Sequence, residues 1–153
     1  MEPIVYEGIS GFESHVGEHL GYSDWRQVTQ QEIDLFAEAT GDHQWIHVDP
    51  EKAAKGPYGK TIAHGYLTLS LVPILVQQIY KVTGLSMQVN YGSDKLRFPA
   101  PVPVDSRIRA GAELVKVERN DKGGGRATVR VTVEVEGSDR PACVVDTIAA
   151  MVD

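Results

Sequence analysis

The sequence predicts one α+β domain, spanning residues 1–153, in which a buried helix packs against an antiparallel sheet. Three features predict this class. Residues 63–82 are apolar on nearly every side, which is typical of a helix buried in a core. Residues 127–135 alternate between apolar and polar side chains, the pattern of a half-buried strand. Further strand-like segments follow the helix, separated by glycine- and proline-rich turns, and a helix followed by a run of strands favours an α+β fold.

Composition and charge argue against several classes of partner and indicate a cellular location. The 153 residues carry a formal net charge of -6, which argues against a general nucleic-acid or anionic-membrane binder. The single cysteine, Cys143, allows no internal disulfide, which fits a cytoplasmic location. The N-terminus, Met1 to Pro3, has no apolar core and does not read as a signal peptide. The longest apolar run, residues 67–76, is too short to span a bilayer.

The N-terminal part predicts one well-defined helix. Residues 1–22 show little pattern, and a short helix or loop is expected there. Residues 23–28 read as a short strand. Thr29 then has the sequence of a helix N-cap, with Glu32 three residues later completing a capping box. The helix should end near Gly41, because glycine accepts the left-handed conformation at little cost.

Two more helices are expected before the strands. Asp49 as cap and Pro50 at the first helical position predict a short helix through Ala54. The long apolar helix then covers residues 63–82. Pro73 lies inside it and removes one backbone hydrogen bond, so we expect a kink or a broken first half.

The C-terminal half predicts four strands and their turns. The strands cover residues 85–96, 108–117, 127–135 and 141–151, and residues 120–125 form a hairpin turn. A bulge is expected between Leu114 and Val115, where the alternation slips. Residues 98–103 are proline-rich and cannot lie in the middle of a sheet. The last strand is apolar on both faces, which favours a central position.

An acid and an imidazole five positions apart mark a candidate active site. Asp42 and His47 follow the helix end at Gly41, and together they could perform general acid/base work on a water molecule. Trp45 and Ile46 between them are apolar, which predicts that the loop lines a pocket. Burial beside Trp45 would raise the pKa of Asp42, as a carboxylate requires if it is to act as a base near neutral pH. The alternative is a helix-end turn with a structural histidine.

A second candidate element is the start of the long helix. His64 and Gly65 precede its first turn, where backbone N–H groups are unpaired and the helix dipole is positive. A carbonyl oxygen bound beside Gly65 would be polarised, as in an oxyanion hole. His64 either lines the substrate pocket or serves as a structural hydrogen-bonding group.

These motifs resemble a known family. The pattern Gly41-Asp42, Ile46-His47 and Ala63-His64-Gly65, with the run 97–102, is similar to that of the MaoC-like (R)-specific enoyl-CoA hydratases. The loop is especially similar to the mycobacterial and nodulation-protein-N-like branch. The resemblance implies a hotdog fold, a curved antiparallel sheet wrapped around a long central helix from about His64 to Val82.

The resemblance also implies an activity and its residues. The reaction is reversible, syn-type addition of water to a trans-2-enoyl-CoA, which gives the (R)-3-hydroxyacyl-CoA. Asp42 and His47 would be the catalytic pair, and the Gly65 N–H would bind the thioester oxygen. A homodimer is implied, with the acyl-CoA substrate near the subunit interface and no cofactor beyond the coenzyme A thioester.

The sequence departs from the family pattern at two places. Gln44-Trp45 stands where Asn-Pro is usual. Gln44 keeps an amide that would orient Asp42 or the water, whereas the bulk of Trp45 leaves the fit of the acyl chain open. Pro73 falls where some relatives have a serine, so no catalytic serine is assigned.

Other candidates carry weaker signals. Asn90 and Tyr91 would line the pocket or form a strand edge. Lys95 and Arg97 would pair with coenzyme A phosphates or belong to a solvated strand face. His43 and His47 have a spacing used by zinc ligands on helices, but Gly41 ends the helix before them, so no metal site is expected.

Three alternative functions share the predicted fold, and two of them are favoured over the third. One is dehydration of (R)-3-hydroxyacyl groups on acyl carrier protein, which would need a basic docking face that the acidic net charge disfavours. Another is a non-catalytic acyl-CoA-binding or scaffolding subunit, although such a subunit would usually have lost Asp42 or His47. Thioester hydrolysis is a third, less favoured option.

Overall fold

The computed structural model describes residues 2–152. Met1 and Asp153, the ends of the predicted domain, lie outside the described residues. The helices are α1 Gly8–Glu13, α2 Gln30–Thr40, α3 Trp45–Val48, α4 Pro50–Ala54 and α5 Gly65–Val76. The strands are β1 Ile4–Glu7, β2 His19–Tyr22, β3 Arg26–Gln27, β4 Tyr80–Thr83, β5 Met87–Arg97, β6 Arg107–Arg119, β7 Gly125–Val135 and β8 Cys143–Val152.

An antiparallel sheet supports the buried helix, as predicted. Its strand order is β2-β6-β7-β8-β5, and β3 also pairs with β6. The core face of β6, β7 and β8 packs against α5. Strand β8 lies between β7 and β5, which confirms its predicted interior position. The register of β6 shifts between Leu114 and Lys116, which confirms the predicted bulge.

The capping signals of α2 and α4 are confirmed. Thr29 and Glu32 form a complete capping box at the start of α2. Gly41 ends the helix in the left-handed conformation, with φ of 82°. Asp49 caps α4 by accepting a hydrogen bond from the backbone N–H of Lys52. Both ends of α2 are therefore determined locally, and they direct the chain into the segment that carries Asp42.

The predicted helix over 63–82 is too long. Helix α5 ends at Val76, and Tyr80–Thr83 forms strand β4, which pairs in parallel with β1. The Tyr80 ring stacks on Phe12 of α1 at 5.0 Å between ring centroids. The N-terminal segment thus converts the end of the apolar run into a strand. Pro73 lies within α5, where its exposed side chain does not end the helix.

The first 28 residues hold more structure than the sequence indicates. Strands β1 and β2 and helix α1 occupy the segment for which only a short helix or loop was expected. The strand predicted over 23–28 is reduced to Arg26–Gln27. These short elements gain their order by packing and pairing with β4 and β6, so their own sequences carry little periodicity.

Strand β5 is an exposed edge strand. Leu96 is half-buried, and the other residues of this strand are exposed. Strand β5 pairs with β8 on one side, and no other strand of residues 2–152 pairs with it.

Within residues 2–152, no helix is long and apolar enough to cross a membrane.

Candidate active site

Asp42 lies directly after the turn that ends α2. Its Oδ1 accepts a hydrogen bond of 3.4 Å from the backbone N–H of Gln44, in an Asx-type turn. The carboxylate is exposed, and Trp45 is only half-buried. The expected burial of Asp42 beside Trp45 is therefore absent within the chain itself. The Trp45 ring instead packs over Gly56, with the ammonium group of Lys52 at 4.8 Å from its centroid.

His47 is buried on α3 with its tautomer defined. Its Nδ1 lies 2.7 Å from the carbonyl oxygen of Ile62. A carbonyl oxygen only accepts hydrogen bonds, so Nδ1 carries the proton and Nε2 keeps its lone pair. Burial lowers the pKa of His47, the hydrogen bond to Ile62 opposes that shift, a nearby His64 charge lowers the pKa further and Asp42 raises it. The net direction favours a neutral imidazole that can act as a base.

His64 stacks on His47 and contacts the Asp42 backbone. The two imidazole centroids are 3.9 Å apart, with 23° between the ring planes. The His64 Nε2–H donates a 3.0 Å hydrogen bond to the Asp42 carbonyl. One side-chain ligand atom from each of Asp42, His47 and His64 lies within 4.8 Å of the other two. The structure therefore brings three predicted site residues into one cluster.

Gly65 begins α5 beside this cluster. Its N–H, like those of other first-turn residues, has no acceptor within the helix, and no acceptor for it occurs among residues 2–152. A Cβ at this position would lie 3.0 Å from the ring of Phe98. A side chain here would make the Phe98 ring shift by a few tenths of an ångström, so glycine suits this close packing.

A cavity of about 440 Å³ joins His47 to Gly65. The apolar crossing 98–102, which the proline content excludes from the middle of a sheet, makes one of its walls. Arg140 also lines this cavity, and its side chain has no ion pair or hydrogen bond within the described part of the chain. No pattern in the sequence pointed to Arg140, because it comes from the turn between β7 and β8.

The other predicted site residues lie elsewhere. Gln44 is exposed at the start of α3, and its side chain makes no capping hydrogen bond there. Asn90 lines a separate cavity of about 380 Å³ between the C-terminal half of α5 and β5. The Tyr91 ring lies 3.8 Å below the guanidinium of Arg126. Lys95 and Arg97 are exposed on β5. Their roles remain predictions.

The geometry of the histidine stack is a poor match to a metal site. A metal ion is bound by lone pairs that lie in the imidazole planes and converge on one point. With His47 and His64 stacked at 23° between planes, an ion between the rings would lie far out of both planes. The cluster that contains Asp42 fits proton transfer better than ion binding.

The chain belongs to the MaoC like domain family, whose sequence model matches residues 11–137. It is 56% identical over 148 residues to 3-hydroxyacyl-thioester dehydratase Z of Mycobacterium tuberculosis, covering 97% of this chain and 98% of the relative. It is also 46% identical over 131 residues to nodulation protein N of Rhizobium leguminosarum bv. viciae, covering 84% of this chain and 81% of the relative.

A solved structure has the same fold. The structure named as an (R)-hydratase from A. caviae involved in PHA biosynthesis superposes with a TM-score of 0.70 and 26% identity, covering 86% of this chain and 95% of that chain. The predicted hotdog class is therefore confirmed, with an open antiparallel sheet packed on α5.

Proposed function

We propose that the chain is an (R)-specific enoyl-CoA hydratase, which adds water reversibly to a trans-2-enoyl-CoA. The observation that carries this proposal is the cluster of Asp42 and His47 beside the free N–H of Gly65. It combines a pair that can activate water with a donor that can polarise a carbonyl. The named hydratase and dehydratase relatives support the same class of reaction, that of a hydro-lyase.

The catalytic pair would bind and deprotonate one water molecule. The lone pair of His47 Nε2 and the carboxylate of Asp42 accept hydrogen bonds from this water. As its oxygen bonds to C3 of the enoyl group, one proton passes to the pair. The electrons of the double bond move towards the thioester oxygen, and C2 then takes a proton from the pair. The elements of water are thus added across the bond, in the (R) sense that the family resemblance implies.

Gly65 would stabilise the charge that develops on the thioester oxygen. Its N–H lies at the positive end of α5, and Gly65 lines the cavity that His47 also lines. The apolar wall 98–102 would exclude bulk water from the reacting atoms. Arg140, with no partner of its own among the described residues, supplies a positive charge at this cavity for an anionic carrier group.

A homodimer belongs to this proposal. Asp42 is exposed in the single chain, and β5 presents an unpaired edge with Asn90 and Tyr91 exposed along it. A second copy paired along β5 would cover apolar surface that is otherwise in water. The substrate would then lie near the interface, where Asn90, Tyr91, Lys95 and Arg97 would contact it.

The remaining parts of the proposal concern carrier and compartment. We favour coenzyme A over acyl carrier protein because the chain has a net charge of -6 and carrier proteins are acidic. The HadBC complex of Mycobacterium tuberculosis, named as a 3R-hydroxyacyl-ACP dehydratase, is similar in fold at 17% identity, and this likeness does not extend to the carrier. No further cofactor is needed, and a cytoplasmic location suits the single buried thiol of Cys143.

Asp42→Asn tests this proposal directly. The parent protein should remove the enoyl absorbance of crotonyl-CoA in a spectrophotometric assay. Asp42→Asn should lower kcat by about a hundredfold or more, since an amide cannot accept the proton. Asp24→Asn, which neutralises another exposed aspartate, is the matched control and should keep the parent rate.

Other outcomes separate the alternatives. Faster turnover of the same acyl group on acyl carrier protein would favour the dehydratase alternative. Tight acyl-CoA binding without turnover would favour a non-catalytic subunit. Folded protein that hydrates no enoyl thioester of any chain length contradicts the proposal.

A further inference from the structure

We propose that His64 is a positioning residue for the Asp42–His47 pair. In this role it anchors the backbone that carries the Asp42 carboxylate, and it holds the His47 ring in the plane and charge state that the reaction needs. This inference rests on the proposed hydration, and it adds a residue that does not itself touch substrate.

The first part of the inference rests on hydrogen-bond direction. His64 is 2% exposed and does not line the cavity that contains His47 and Gly65. Its Nε2 must carry a proton, because the 3.0 Å contact is to the carbonyl of Asp42. The bond joins the start of α5 to the turn after α2. A loop that carries an exposed carboxylate is thereby tied to a buried ring.

The second part rests on the stack. The His64 ring contacts Phe36 of α2, at 4.9 Å between centroids and 52° between planes, and it stacks on His47 of α3, at 3.9 Å between centroids. These two contacts restrict the His64 ring, which presents a flat surface to His47. The hydrogen bond from His47 Nδ1 to Ile62 defines the tautomer, and the stack restricts rotation of the ring. Together they fix the direction in which the His47 Nε2 lone pair points.

The third part concerns charge. The titratable groups facing His64 are His47 from α3 and Asp42 from the preceding turn, while α2 presents the uncharged ring of Phe36. Nδ1 of His64 is buried without a hydrogen-bond partner among the described residues. Two stacked imidazoles also disfavour two positive charges. His64 therefore adds to the burial that lowers the pKa of His47.

Two substitutions separate the anchor from the stack. His64→Phe keeps a ring in contact with Phe36 and His47 but removes the donor to Asp42. His64→Gln keeps an N–H donor but removes the ring. We expect kcat to fall by about tenfold to a hundredfold in His64→Phe, since misplacement of about 1 Å has effects of that order. His64→Gln should retain more of kcat than His64→Phe, and KM should change little in either.

The pH dependence of kcat/KM gives a readout that a purely structural role of His64 would not change. The acid limb of kcat/KM should move to higher pH in both variants, because removing the second imidazole relieves the like-charge contribution that lowers the pKa of His47. His43→Gln, which removes an exposed imidazole from the same turn, is the matched control and should leave the limb in place.

Nuclear magnetic resonance of the ligand-free protein tests the inference without activity. The chain has five histidines, and single substitutions assign their ring signals. In the parent, His47 should carry its proton on Nδ1 and titrate below the ordinary histidine range, and in both His64 variants its midpoint should rise. An unchanged His47 titration together with parent kcat in His64→Phe overturns the inference. A parent protein that hydrates nothing contradicts the proposed function, while the titration still decides the role of His64.

Discussion

At the scale of single residues, the base proposed at His47 depends on one backbone carbonyl. Ile62 accepts the Nδ1 proton at 2.7 Å, which leaves Nε2 as the only nitrogen with a free lone pair. Without this contact the ring could present either nitrogen to water. The sequence identified His47 as a candidate base, but the partner that selects its tautomer lies beyond α4 in the chain.

Gly65 is the residue whose substitution separates packing from catalysis. A Cβ there would lie 3.0 Å from the Phe98 ring and beside the N–H proposed to bind the thioester oxygen. We expect Gly65→Ala to lower kcat by about a hundredfold, the order seen when an oxyanion donor is lost. The measurement is kcat with crotonyl-CoA, with the melting temperature recorded alongside.

The double variant Gly65→Ala with Phe98→Ala provides the control. Removing the Phe98 ring relieves the clash, so the melting temperature should match that of Phe98→Ala alone. The activity should stay low if access to the N–H is the cause. Recovery of kcat in the double variant would show instead that the defect of Gly65→Ala comes from the contact between its Cβ and the Phe98 ring.

At the scale of elements, α2 shows how local signals define a helix that serves the site. Thr29 and Glu32 exchange hydrogen bonds at its start, and Gly41 ends it with φ of 82°. All of these contacts lie within a few residues, so the sequence pattern predicted both ends. The position of Asp42 follows directly from where α2 stops.

Removing the cap should weaken the protein measurably. Thr29→Ala eliminates the side-chain acceptor for the N–H of Glu32. We expect the free energy of unfolding to fall by about 1 kcal/mol, as is typical for the loss of an N-cap. Urea denaturation followed by circular dichroism measures this. Gln31→Ala, an exposed change in the same helix, should have almost no effect, and equal losses in both variants would rule out a specific role for the cap.

Helix α5 shows where local signals fail. Residues 63–82 are uniformly apolar, and apolarity alone does not distinguish a buried helix from a buried strand. Tyr80–Thr83 leaves the helix because β1 provides a pairing partner and Phe12 a ring to stack on. The information that ends the helix lies in the N-terminal segment, whose own pattern was weak.

At the scale of the whole molecule, β5 presents an unpaired edge with exposed apolar side chains. Met87, Val89 and Tyr91 are exposed on this strand, and no strand among residues 2–152 pairs with its outer edge. Long apolar edges are normally covered or blocked in natural proteins. The proposed homodimer would cover this edge.

A charge on β5 tests that assembly. Val89 is 44% exposed, and Val89→Glu should convert the dimer into a monomer, because the interface would bury an unpaired carboxylate. Light scattering coupled to size-exclusion chromatography measures the mass. Val5→Glu is the control: Val5 is 49% exposed on β1, in the separate two-stranded sheet, and should not affect assembly. A monomeric parent, or a variant that remains dimeric, would contradict this interface.

The sequence by itself determined the parts that depend on neighbouring residues. These are the caps of α2 and α4, the alternation of β7, and the spacing of Asp42 and His47 after a helix stop. Tertiary structure decided the rest. The stack of His64 on His47 and the cavity that joins His47 to Gly65 bring together groups from α3, α5 and two distant loops. Such contacts depend on how the elements pack, so no spacing in the chain encodes them.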